Sequence, residues 1–273
     1  MTELRPCGGA YAFGDTDIAA RRLEVVAQVY GPSSRALLRS AVSRPPGLAY
    51  DLGCGPGYTT ALVSDATRAR RTVGLDSSAA NVARARASAP AGAEPTGEFA
   101  VEFAVHDVLR LPFPAGPADL VYCRLLLAHL PDPAAAVLDW ATQLTPGGLV
   151  VVEEIEWIST SHSLLRAHLS IAEALVAASG ARMCAGPLLD SLNREPALEC
   201  RLAQISEVPV RESRAAAMFG MNVAAWGSRP VALGVCSQTE IDELAAGLAT
   251  LADSPGEGEI TWGMHQAVYA RAA

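Results

Sequence analysis

The sequence predicts an α/β fold: a doubly wound, mostly parallel sheet with helices on both faces. Three observations predict it. Short apolar runs alternate with helical patterns from residue 48 to residue 155. The first run passes straight into a glycine-rich turn, Gly53-Cys54-Gly55-Pro56-Gly57, and the second ends on an acid, Asp76.

Taken in order, residues 15–30 carry Ile18, Ala19, Leu23, Val25, Val26 and Val29 at three- and four-residue spacing, which predicts a helix. Gly31-Pro32 is expected to stop it, and a second short helix over 34–42 to end at Arg44-Pro45-Pro46-Gly47. A strand over 48–52, a helix over 58–68, a strand over 72–75 and a helix over 78–89 follow, then a Pro/Gly-rich loop over 90–97. Strands are expected at 99–105, 119–123 and 148–155, the last two separated by a helix over 133–144. After Trp157 the rhythm changes. Helices are expected over 162–179, 186–193, 213–222 and 238–252, with strands over 197–210 and 259–270. No linker divides the chain, so one folded unit is expected in three stretches: an N-terminal helical segment (1–46), the half that carries the glycine turn (47–157), and a helical cover that completes the sheet (158–273).

Composition narrows the function. The chain has 273 residues, half of them hydrophobic and 18% charged, with a net charge of −8. Such apolar content excludes a disordered chain, and no run approaches the ~20 apolar residues of a membrane span. The start, Met1-Thr2-Glu3-Leu4-Arg5-Pro6, has no basic stretch leading into an apolar one, so a cytoplasmic protein is expected. A net negative charge disfavours nucleic acid as the partner. All 21 basic residues are Arg, which excludes Schiff-base and P-loop lysine chemistry. The six cysteines form no C-x-x-C pair, which fits reduced thiols better than a disulfide frame or a zinc site.

The glycine turn carries the most information. Glycines permit positive φ and close approach of the backbone to a ligand. A dinucleotide site asks for G-x-G-x-x-G; here the spacing is G-x-G-x-G, and Tyr58 stands where the third glycine would be. Asp76 is placed to accept hydrogen bonds from both hydroxyls of a ribose. Asp107, in His106-Asp107-Val108 at the end of the next strand, is placed to accept from an exocyclic adenine amine. Together these positions describe adenosine without a pyrophosphate.

With Arg124 to Pro133 (including His129-Leu130-Pro131-Asp132-Pro133) and Leu144-Thr145-Pro146-Gly147-Gly148, these residues resemble the class I, seven-stranded S-adenosyl-L-methionine-dependent methyltransferases of small-molecule type, over residues 11–157. The resemblance implies a seven-stranded Rossmann-like sheet with an antiparallel last strand at 259–270. It implies S-adenosylmethionine as cofactor and S-adenosylhomocysteine as product. Gly53, Gly55 and Gly57 would line the methionine end, Asp76 the ribose, and Asp107 with Val108 the adenine; Tyr11, Asp51, Cys54, Ser77, Cys123 and Arg124 complete the implied set. Arg22 lies within the apolar stripe of the first helix, where a guanidinium wants an anionic partner. That partner is either the methionine carboxylate of the cofactor or a protein acid such as Glu24 or Asp51.

Methyl transfer from a sulfonium needs positioning first, and a general base only where the acceptor must lose a proton. Candidates at the carboxyl ends of the strands are His129 and the carboxylates of Glu153-Glu154-Ile155-Glu156-Trp157, with His162 and His168 on the cover. Strict alternation puts Glu154 and Glu156 on one face of their strand, where they could clamp an amine or hydroxyl acceptor. No metal ligand set is evident. The expected activity is methyl transfer to the O, N or C of a small molecule, in bacterial secondary metabolism, by a monomer or homodimer bound to neither nucleic acid nor membrane. The alternative is a non-methylating or cyclase-like protein on the same scaffold.

Overall fold

In the computed structural model, which describes residues 17–88, 99–254, 256 and 258–271, the first element is one helix, α1 (Asp17–Ala41). The expected break at Gly31-Pro32 is absent. Proline removes one backbone donor and crowds the carbonyl four residues earlier, yet the next two residues fasten the helix to the sheet. Ser34 Oγ accepts from Arg124 Nη1 at 3.0 Å, and Ser33 Oγ accepts from Gln266 Nε2 at 2.9 Å. Gly31 faces Leu62, and Val29, Tyr30, Leu37 and Leu38 are buried on either side. Because the Pro32 ring is exposed, Pro32→Ala is expected to restore the missing bond and raise stability by about 1 kcal/mol, once the larger unfolded-state entropy is offset; urea unfolding midpoints will read the change.

The remaining elements are β1 (Leu48–Leu52), α2 (Tyr58–Thr67), β2 (Arg71–Asp76), α3 (Ala79–Ser88), β3 (Ala100–Val105), β4 (Ala118–Arg124), α4 (Pro133–Ala141), β5 (Leu144–Ser159), α5 (Ser163–Ala178), α6 (Leu189–Leu192), β6 (Leu198–Arg211), α7 (Glu212–Trp226), α8 (Arg229–Ala232), α9 (Gln238–Ala252) and β7 (Glu259–Arg271). The sheet runs β3-β2-β1-β4-β5-β7-β6. Strands β1 to β5 pair in parallel, while β7 is antiparallel to both β5 and β6, as the resemblance implied.

Both faces of the parallel part are apolar, which is what helices on two sides require. One face (Tyr50, Leu52, Val121, Val150, Val152, Tyr269) packs on Val137 and Trp140 of α4 and on Leu189 and Leu192 of α6. The other (Ala49, Leu120, Tyr122, Val151, Val268) packs on Leu37 and Leu38 of α1 and Val63 of α2. A third cluster joins the cover helices α5, α7 and α9 to Trp262 and Met264 of β7 and to Val26, Val29 and Tyr30 of α1.

Toward the carboxyl ends of the strands the α1 face turns polar. Buried Glu153 accepts from Tyr122 Oη at 2.7 Å and from Gln266 Nε2 at 2.8 Å. A buried carboxylate without such donors would be costly.

Candidate active site

The turn after β1 needs its glycines. Gly53, Gly55 and Gly57 have φ of 67°, 52° and 92°, a region that side chains disfavour. The turn is pinned to the neighbouring strand, because the Gly53 and Cys54 N–H groups both donate to the Leu75 carbonyl, at 2.8 and 3.0 Å. From below, the Asp51 carboxylate accepts from Thr59 Oγ1 at 2.6 Å and Thr60 Oγ1 at 2.7 Å. Burial pushes its pKa up to about 6, against the lowering effect of those hydroxyls. Asp51 thus ties the start of α2 to β1 and does not face a ligand.

Asp76 crosses to the same turn. Its Oδ2 accepts from the Gly55 N–H at 2.8 Å and its Oδ1 from the Ser78 N–H at 2.8 Å. An ionised carboxylate has about four acceptor sites, so two remain for a ligand. Ser77 beside it is exposed. Asp107 is also exposed, with Oδ1 accepting from the Leu109 N–H at 3.0 Å. Val108 turns away from it into the core, where its carbonyl receives Trp140 Nε1 at 2.9 Å. Cys54 and Cys123 are buried free thiols, held well above the usual thiol range by burial.

The segment after β4 and the helix α1 both border the glycine turn. A Cβ on Gly53 would lie 2.9 Å from Leu126 Cδ1, and one on Gly55 would lie 3.5 Å from Leu23 Cδ1 of α1. The turn therefore stands at the point where strand order reverses, between β1 and β4, where the crevice that binds ligands in open α/β sheets is expected. Arg124 does not line it. Strand parity sends its guanidinium to the α1 face, buried against Ser34 and 5.9 Å from the Tyr30 ring centroid, so the implied cofactor contact is replaced by a structural one. Tyr11 lies outside the described residues.

Nor do Glu154 and Glu156 form a pair. Glu154 is buried, and its Oε1 accepts from the Leu126 and Leu127 N–H groups at 2.8 and 2.7 Å. It holds the turn that leads to His129. Glu156 sits at a β-bulge: the register with β7 shifts between Ile155 and Trp157, and a bulge re-aims a side chain. Its Oε2 meets His265 Nδ1 at 2.9 Å. Both carboxylates lie on the His265 face, but the expectation of one acceptor clamp is corrected, since backbone N–H groups take Glu154 and His265 takes Glu156.

Burial raises Glu154 from the ordinary 4.5 to about 8, over the opposing backbone N–H groups. The fold thus favours its neutral form. That stabilisation is complete below about pH 4.5 and is lost as pH rises through about 8. Glu154→Gln, neutral at every pH, is therefore expected to gain on the wild type by a few kcal/mol between roughly pH 5 and pH 9; urea unfolding across that range checks it.

His129 is half-buried, and burial followed by the Arg22 charge lowers its pKa to about 4. His168 of α5 is lowered to about 3 by the same two causes in the same order. Its ring is gripped by α7, with centroids 3.8 Å from Phe219 and 4.9 Å from Trp226, while Nε2 lies 3.1 Å from Asn222 Nδ2. Arg22 therefore stands within electrostatic reach of both histidines and of Tyr30. His162 caps α5, accepting from the Leu164 N–H at 3.3 Å, and leaves the candidate set. Among the described residues no cluster of three or more His, Cys, Asp or Glu could hold a metal ion, and no helix is long and apolar enough to cross a membrane.

Sequence reasoning missed His265 and Gly186. A Cβ on Gly186 would lie 2.8 Å from Glu156 Cα and 2.9 Å from His265 Cβ, so only glycine lets the short turn Gly186–Leu188 close over that pair. The available signal was Gly263, a glycine inside a strand pattern, which marks close approach of another group; here the Trp157 indole covers it.

Residues 50–152 match the methyltransferase domain family. A trans-aconitate 2-methyltransferase of Methylobacterium radiotolerans is 34% identical over 150 residues, 55% of this chain and 50% of that one. The chain spans about half, or less, of the length of the curated relatives it matches. A Bacillus halodurans C-125 protein solved as a candidate methyltransferase superposes with TM-score 0.58 at 16% identity, covering 88% of this chain and all of its own. The plantazolicin methyltransferase BpumL, solved with S-adenosylhomocysteine, superposes with TM-score 0.54 at 12% identity, covering 96% of this chain and 93% of its own. At such identities these structures speak for the fold alone.

Proposed function

We propose, for a chain that belongs to the class I S-adenosylmethionine-dependent methyltransferase family, that the crevice beside Gly53–Gly57 holds S-adenosylmethionine and that its methyl passes to a small-molecule acceptor in bacterial secondary metabolism. One observation carries the reading: Asp76 spends two acceptor sites on Gly55 and Ser78 and keeps the others beside a turn whose three glycines all have positive φ. That arrangement fits a ribose next to a closely approaching backbone.

When bound, the cofactor supplies an electrophilic methyl on a cationic sulfur. The protein does the rest. Asp76 orients the ribose, and exposed Asp107 takes the adenine amine. Arg22 offers a positive charge to the methionine carboxylate. His129, with its pKa lowered to about 4, stays neutral near pH 7 and adds no repulsion toward the sulfonium. Holding methyl and nucleophile in line supplies much of the rate. The domain match ends at residue 152, short of the cover, so the acid named for the curated relatives is one acceptor class to be tried among several.

The test has two readings. S-adenosylhomocysteine is expected to bind the purified chain in calorimetry with a micromolar Kd, and label from methyl-tritiated S-adenosylmethionine to reach an acceptor. No heat from either at millimolar concentration overturns the reading; binding without transfer to any acceptor favours a non-methylating use of the scaffold.

A further inference from the structure

His265 and Glu156 are used by nothing described above. We propose that His265 takes the proton from a methyl acceptor bearing an O–H or N–H group, with Glu156 as the residue that positions it; this rests on the donor reading of the crevice. Three observations support the assignment. First, beside the bulge in β5 the Glu156 carboxylate reaches across to His265, whose cross-strand neighbour is Glu154. Second, an ionised carboxylate only accepts, so the contact between Glu156 Oε2 and His265 Nδ1 at 2.9 Å calls for the proton on Nδ1, and in the neutral imidazole that leaves the lone pair on Nε2. Third, Nε2 is buried and has no hydrogen-bond partner among the described residues, in a side chain only 6% exposed. A buried acceptor of this kind is normally satisfied.

The pair also stands at the right end of the sheet. Glu154, two residues back along the strand, bonds the Leu126–Leu127 backbone, and Leu126 packs on Gly53 of the crevice. On the far side Arg182 N–H donates to the Ala128 carbonyl at 3.2 Å, which draws the segment leading to Gly186 over the same turn. The titratable groups facing the pair are Glu154, the cross-strand neighbour of His265, and Cys184, whose thiol is raised by burial and by the Glu173 and Glu156 charges. His168 is not assigned this role, because aromatic rings grip it and among the described residues no carboxylate meets its ring.

The step balances simply. The acceptor heteroatom bonds the methyl carbon as the S–C bond breaks, its electron pair leaving with sulfur to give a neutral thioether. The acceptor proton moves to Nε2, Glu156 stabilises the imidazolium, and the proton returns to solvent before the next turnover. A carboxylate acceptor is already ionised and needs no such base, so the site selects alcohols, phenols or amines.

Two measurements test this. In 15N-histidine-labelled protein near pH 7, His265 is expected as the Nδ1–H tautomer with bare Nε2, assigned through loss of its signal in His265→Gln; an Nε2–H tautomer overturns the proposal whatever the acceptor. With methyl-tritiated S-adenosylmethionine and a panel of phenols, alcohols, amines and carboxylic acids including trans-aconitate, label is expected on a hydroxyl or amine. His265→Gln should then lower kcat about 10²–10⁴-fold at neutral pH, with a deficit that shrinks as rising pH ionises the acceptor and with unchanged S-adenosylhomocysteine affinity. Glu156→Gln, which still accepts from Nδ1, should cost about tenfold in kcat and move the acidic limb of the pH profile, where the base takes up its proton, to lower pH. Label on carboxylates alone, or His265→Gln within threefold of wild type, overturns the base; an unshifted profile in Glu156→Gln overturns its positioning role. Failure of the wild type to bind S-adenosylhomocysteine would instead sink the donor reading beneath it.

Discussion

Gly57→Val is expected to abolish S-adenosylhomocysteine binding and to lower stability by roughly 2–5 kcal/mol, combining left-handed backbone strain with overpacking. Gly57 has φ 92°, which a β-branched residue hardly adopts. A Cβ there would also lie 2.9 Å from Phe103 Cε1 and Cζ and 3.1 Å from Ala85 Cβ. Those atoms belong to β3 and α3, so the clash spreads beyond the turn. Gly55→Ala separates the two effects. Its nearest neighbour would be Leu23 Cδ1 at 3.5 Å, so only strain of about 1–2 kcal/mol opposes folding, while the new methyl intrudes on the crevice. Urea unfolding with calorimetry on both variants checks the pair: Gly55→Ala should fold and bind poorly, and Gly57→Val should fail at both. Normal binding by Gly55→Ala would move the ligand away from this turn.

Asp76→Ala is expected to weaken S-adenosylhomocysteine binding by about 1.5–3 kcal/mol, the range for hydrogen bonds to a charged group. The loss has two sources. The ribose loses its acceptor, and the Gly55 and Ser78 N–H groups, each 2.8 Å from the carboxylate, lose theirs, so the turn is less ordered before the ligand arrives. Asp76→Asn keeps one acceptor oxygen and should fall between. Calorimetry on the three proteins decides, and equal affinity would remove Asp76 from the site.

The parallel half of the fold was legible because it is written in local signals. Apolar runs of strand length, the three glycines and the strand-end acid depend on neighbours in sequence, and the structure puts them in the expected elements. The misreadings share a different origin. Gly31-Pro32 reads as a stop, yet Ser33 and Ser34 are tied to β7 and β4, contacts made by residues 233 and 90 positions away. Glu154 and Glu156 read as partners because nothing local to them tells that the 126–127 backbone takes the first and His265 the second. Arg124 reads as a crevice residue because its place at a strand end was weighed and its parity with Leu120 and Tyr122, which turns it toward Ser34 of α1, was not. His265 went unread because its partner is 109 residues distant.

The order of the strands also bears on how the chain is made. β7 is the last strand in sequence but lies inside the sheet, between β5 and β6. During synthesis, therefore, β5 keeps one open flank until residues 259–271 leave the ribosome, and Glu153 waits for the Gln266 amide that it accepts in the finished protein. An exposed strand flank is a template for unwanted pairing. A nascent chain stalled before residue 259 should thus depend on chaperones and resist folding, even though the glycine turn, Asp76 and Asp107 have already been translated.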